Sequence, residues 1–212
     1  MDADGFLKAV RDERATQLHR LGSDKYLIAA TGADLAEGPV LRSVAREAAS
    51  GRETFESWTE SEDGPAAEAF AVAAETERDH LDRIRERLDA DDGDIGNTPP
   101  DGAVHDALGA AETTAGRAGA LVGRALVRDR TLLQVVNFFV NEGDSGGADF
   151  ARELRSDAGD QRDAGADLLE RVCQGADDLE RAQAAAERVI GAAYEAYADA
   201  LEAMGVDPKP VC

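Results

Sequence analysis

Lysine, histidine and cysteine are nearly missing from this chain. Lysine occurs only at Lys8, Lys25 and Lys209, histidine at His19, His80 and His105, and cysteine at Cys173 and Cys212. Two cysteines so far apart make neither a disulfide framework nor the CxxC pairs of a zinc ribbon or a rubredoxin-type iron site. Cys173 is expected in the core and Cys212 as an exposed thiol. No apolar run reaches about 18 residues, which excludes a transmembrane helix. The opening MDADGF is acidic rather than a basic region leading into an apolar one. The expected location is cytoplasmic.

Positive charge is short as well. Forty-four acidic residues stand against 23 basic ones, for a formal charge of −21. Such an excess, with arginine replacing lysine, suits a solvated surface of the halophilic kind. No basic stripe interleaved with aromatics appears, so neither nucleic acid nor membrane is an expected partner. No P-loop or HExxH pattern is present to support hydrolytic or metal-assisted catalysis.

What the chain does have is helix. Ala/Glu/Arg/Leu-rich segments of 3.6-residue periodicity cover 4–21, 24–30, 38–61, 65–90, 102–128, 131–142, 146–173 and 177–204, and no convincing period-2 strand interrupts them. The piece between, DDGDIGNTPPDG at 91–102, could span roughly 35–40 Å when extended, about the length of a 25-residue helix. Two antiparallel pairs joined by a long crossover have the connectivity of ferritin-like bundles, with a plain up-down bundle as the alternative. We therefore expect a single all-α domain over 1–212. Its four-helix core lies within about 38–173, with a helical extension at 1–37 and a C-terminal helix at 177–204. The segment TLLQVVNFFV, 131–140, is apolar nearly all round and should be buried. Its polar members Gln134, Asn137 and the adjoining Asn141 are suited to capping and helix–helix hydrogen bonds, or to lining a pocket.

One stretch breaks the pattern. In AEAFAVAAETERDHLDRIRERL the apolar stripe runs Phe70, Ala74, Glu77, Leu81, Ile84, Leu88, with Ala73 and His80 on its flank. A carboxylate and an imidazole are thus aimed inward. The preceding helix carries Val40, Val44, Glu47, Gly51, Phe55 and Trp58 on its stripe, so it too has a core-facing Glu. In an antiparallel pair turning near 60–65, facing residues sum to roughly 125, which sets Glu47 opposite the Glu77–His80 turn. Glu-x-x-His facing a Glu on the next helix is how carboxylate-bridged iron and manganese sites are built, and Ala48 and Gly51 leave room there. A buried network with Arg46, Arg52 or Arg78 is the competing explanation. Without metal, Glu47 and Glu77 are expected to share a proton or lean on an arginine, with raised pKa values unless Arg46 or Arg78 turns in.

On Glu47, ETERDH, LVGR, LLQVVNFFVNE and AMGVDPKPVC the chain resembles rubrerythrin-like members of the ferritin-like superfamily, and more closely a haloarchaeal group of them. The resemblance implies a four-helix bundle with a non-haem iron or manganese centre and peroxide- or oxygen-linked chemistry. A complete centre needs a second Glu and a second Glu-x-x-His. Glu112, on the stripe Leu108, Glu112, Ala115, Gly119, Val122, Leu126, can supply the Glu. The second His is missing: the stripe of helix 146–173 offers Gln161, and Glu153 lies off it. His105 is a minor candidate, and His19 is expected at the surface or an interface. The expected metal ligands are therefore Glu47, Glu77, His80 and Glu112, holding at most one Fe or Mn tightly and turning over peroxide weakly. Any redox partner acts in trans, and association into homo-oligomers through an apolar helix face is open to such a bundle. The alternative is a metal-free helical scaffold or protein-interaction module, in which Glu77→Leu is expected to stabilise the bundle.

Overall fold

The computed structural model describes residues 2–88 and 102–209. The described residues form helices and no strand: α1 (Ala3–Glu13), α2 (Ala15–Leu21), α3 (Lys25–Thr31), α4 (Glu37–Ser61), α5 (Gly64–Leu88), α6 (Ala103–Gly109), α7 (Thr114–Asn141), α8 (Ser145–Val172) and α9 (Ala176–Ala203). The protein is all-α. Cys212 and the expected crossover 91–102, apart from Gly102, lie outside the described residues.

Local signals account for most boundaries. Gly64 takes φ +57°, a left-handed conformation that lets α4 reverse directly into α5, and Pro65 follows where a missing N–H costs nothing. Asp144 caps α8 by accepting from the Gly147 N–H at 2.9 Å. Two boundaries differ from the sequence expectation. The segment 4–21 is divided at Arg14 into α1 and α2. The helix expected over 102–128 breaks at residues 110–113, where the Thr113 hydroxyl accepts from the Gly116 N–H at 3.1 Å and starts α7 afresh. No break occurs at Asp129–Arg130. Arg130 projects to solvent, Asp129 pairs with Arg155 of α8, and α7 continues through TLLQVVNFFV.

Ion pairs at the helix ends give the topology. Arg87, near the end of α5, pairs with Glu37 at the start of α4 (2.8 Å) and with Asp144 ahead of α8. At the opposite end, Glu62 after α4 accepts from Thr114 and Arg117 at the start of α7, both at 2.8 Å. The end of α5 and the start of α7 thus lie at opposite ends of the bundle, about 37 Å apart for helices of this length. α4 and α5 form one antiparallel pair, α7 and α8 the other, and α5 lies along α8 through Arg83–Glu153 and His80–Asp157.

One apolar core runs from Phe6 to Leu201. α7 is its centre, buried over most of its circumference between α4, α8 and α9. α9 lies parallel to α7 at very short range: a Cβ on Gly119 or Gly123 would overlap the backbone of Ala182 or Ala186. Within the apolar segment, Leu132, Val135, Val136 and Phe139 are buried, and the Gln134 amide donates to the Gly22 carbonyl at 2.7 Å. Asn137 and Asn141 are exposed.

Candidate functional site

Glu77 and His80, on adjacent turns of α5, are each only 1% exposed. The carboxylate is not alone. Its Oε1 accepts from Arg124 Nη1 at 2.7 Å and from the Gln161 amide at 2.9 Å. Arg124 also donates through Nη2 to the backbone carbonyl of Glu47 at 2.9 Å, so one guanidinium spans α4 and α5 and places Glu47 and Glu77 at one level. The Glu47 side chain is shared by two donors: Arg128 Nη1 to Oε2 at 2.5 Å and the Tyr26 hydroxyl to Oε1 at 2.6 Å. His80 Nε2 meets Asp157 Oδ2 at 2.9 Å, and its Nδ1 stands 3.8 Å from Glu77 Oε2.

The electrostatics follow from these contacts. Burial pushes the Glu77 carboxyl up. The charge of Arg124, the nearby His80, the hydrogen bond from Arg124, and the charge of Arg128 outweigh it, and the group titrates well below the usual carboxylate range. This corrects the expectation of a raised Glu77. For His80, burial acts downward, but the Asp157 and Glu77 carboxylates carry the imidazole above its ordinary value. Both of its nitrogens face carboxylate oxygens, the arrangement an imidazolium satisfies and a neutral ring does not. With His80 protonated, Glu47, Glu77 and Asp157 are balanced by Arg124, Arg128 and His80. Tyr26 is raised well above its ordinary range by burial and by Glu47 beside it, so it remains the donor.

The arginines that do this are not the ones expected. Arg78 pairs with Glu56 and Glu75, Arg52 approaches Glu56, and Arg46 donates to the Ala30 carbonyl, all away from Glu77. Arg124 and Arg128 come instead from α7, at i and i+4 in LVGRALVR, inside a run that is otherwise apolar. That spacing was the available signal, since it puts two cations on one buried face. The space left by Gly51 belongs to Arg124: a Cβ there would overlap the guanidinium, which also lies 5.3 Å from the centre of the Phe55 ring. Asp157, one turn before Gln161, was likewise missed. Gln161 is buried as its stripe requires.

Glu112 is not brought to the site. It lies in the non-helical link between α6 and α7 and is exposed, because the Thr113 cap ends the helix on which its stripe was drawn. His105 sits beside Ser50 and Thr54, at 3.3 and 3.4 Å, and His19 is exposed. Glu153 pairs with Arg83 at the surface, and Cys173 is half-buried at the end of α8.

The iron or manganese implied by the resemblance can be tested against these residues. Both Glu47 oxygens and Glu77 Oε1 carry N–H or O–H donors, and His80 Nε2 is engaged by Asp157. That leaves Glu77 Oε2 and His80 Nδ1 as buried atoms without partners. Two donor atoms fall short of the coordination Fe(II) or Mn(II) takes. Among the described residues, no group of three or more His, Cys, Asp or Glu is placed to hold a metal ion. As arranged, the residues do not fit such a centre. Comparison of the chain with protein-family models, with curated proteins and with solved structures gives no match. Among the described residues, no helix is long and apolar enough to cross a membrane.

Proposed function

We propose that the chain is a ferritin-like four-helix bundle, built from α4, α5, α7 and α8 with a long crossover. In it, arginine side chains supply the positive charge that rubrerythrin-like relatives draw from metal, and the protein serves as a scaffold or interaction module rather than a redox enzyme. The observation that carries this reading is the charge balance around Glu77. Three carboxylates already face three buried cations, with Glu77 itself desolvated and Glu47 and Asp157 reaching partly into solvent. A divalent ion added there would leave two uncompensated positive charges or would have to displace a guanidinium. The network links four helices of the core: Arg124 of α7 ties α4 to α5, and Gln161 ties α8 to the same carboxylate.

The competing reading, one weakly held Fe or Mn linked to peroxide or oxygen stress, draws on the two unpartnered atoms Glu77 Oε2 and His80 Nδ1. Elemental analysis separates the two, on protein purified without chelators or a nickel column, together with melting curves in added Fe(II) or Mn(II). The scaffold reading expects only traces of metal and no rise in melting temperature for wild type or His80→Ala. It further expects Arg124→Gln to acquire a Mn(II)-dependent rise, because that change frees carboxylate oxygens. One metal per chain in wild type, with a rise that His80→Ala abolishes and His19→Ala keeps, would overturn it.

A further inference from the structure

Beside the network, α3, α4, α6, α7 and α9 line a half-open cavity of about 340 Å³, within the range of small-molecule sites. Much of its wall is small and apolar, including Ala30 of α3, Val127 of α7, and Ala193 and Ala200 of α9. Its charged members are Arg46, Arg124 and Arg128 against one carboxylate, Glu47, with His105 at the α6 side. Arg124 and Arg128 already face Glu77 and Glu47, so the charge left over in this wall is the cation of Arg46.

The hydrogen bonds show what the cavity lacks. Both oxygens of Glu47 are taken, by Tyr26 and Arg128, so it presents no acceptor in need of a donor. The cations are less well served. Arg46 is exposed, pairs with no carboxylate among the described residues, and donates only to the Ala30 carbonyl at 3.3 Å. Arg128 has a buried Nη2 without a partner. Donors in excess over a half-apolar wall call for an acceptor bearing negative charge on an apolar body. A single charge suffices to balance Arg46, and Glu47 in the wall disfavours a dianion.

We propose that this cavity binds a small monocarboxylate with a hydrocarbon body, the carboxylate meeting Arg46 at the mouth and the chain lying along α7 and α9. The proposal does not depend on whether the Glu77 network binds metal, since metal content and carboxylate binding are read separately. The test titrates octanoate into the full chain by calorimetry, with octanol and octylammonium as probes of equal chain length. Octanoate should bind one per chain. Arg46→Ala should weaken it about tenfold, the loss of one charge-assisted hydrogen bond. Ala196→Trp, an exposed lining position on α9, should block it with the melting temperature unchanged. The inference is overturned if octanoate shows no saturable binding or if octanol binds as tightly. It is overturned equally if octylammonium binds better, which would make Glu47 the reading group, or if both variants, folded, bind octanoate as wild type does.

Discussion

Replacing Glu77 by leucine places an apolar side chain on an apolar stripe, and for a metal-free scaffold the sequence alone leads one to expect a more stable bundle. The structure reverses that expectation. Glu77 is 1% exposed and Arg124 3% exposed, so the substitution strands a guanidinium in the core and removes the acceptor of the Gln161 amide. Breaking a buried pair from one side costs roughly 3–5 kcal/mol, because the remaining charge keeps its desolvation penalty and loses its partner. At about 2–4 °C per kcal/mol for a chain of this size, the melting temperature should fall by roughly 6–20 °C. The assay is thermal unfolding by circular dichroism, scan-rate controlled, of wild type, Glu77→Leu and the double variant Glu77→Leu/Arg124→Met. The double variant removes the stranded charge and should recover most of the loss. About 1 kcal/mol should remain missing, since Arg124 also donates to the Glu47 carbonyl. A Glu77→Leu variant that melts at or above wild type, or a double variant less stable than the single one, refutes the reasoning.

Stability should also depend on pH in two opposed limbs. The depressed Glu77 contributes above its unfolded value of about 4.3, and that contribution is lost as pH falls through its folded value. The raised His80 contributes fully below about 6.5 and its share is lost as pH rises through its folded value. Urea midpoints against pH should therefore show Glu77→Gln flattening the acid limb and His80→Gln the alkaline one; unchanged profiles would count against the network. The α7–α9 contact predicts opposite outcomes for two glycines. Gly119→Ala meets the Ala182 backbone and should cost about 1–3 kcal/mol, while Gly159→Ala on α8 meets nothing and should gain about 0.5–1 kcal/mol of helix stability. Equal effects on the urea midpoint would show that α9 does not lie where the structure puts it.

What the chain settles alone is what short-range periodicity can carry. The stripes of α4, α5 and α8 bury most of the residues read off them, Glu77, His80 and Gln161 included, while Glu47 stays half-buried, because a helix of 3.6 residues per turn converts spacing into facing without reference to neighbours. The turn at Gly64–Pro65 puts Glu47 level with Glu77 by arithmetic along one hairpin. Whether a core-facing carboxylate meets a proton, a metal or an arginine is different in kind, because the partner lies 47 residues away on α7, in the other helix pair. Nothing local to ETERDH or to LVGRALVR says that they meet. That is decided when the chain crosses from the end of α5 to the start of α7 and lays α7 into the groove of the first hairpin. There Gly51 admits the Arg124 guanidinium, and Arg128, one turn on, reaches Glu47, which also accepts from Tyr26. The fate of Glu112 was decided by a smaller event: the Thr113 side chain captured one backbone N–H, restarted the helix, and left a stripe position in solvent. Periodicity determined which polar groups face inward. Only the docking of one helix pair on the other determined what neutralises them, because a buried charge is matched by whatever cation the tertiary fold brings within reach.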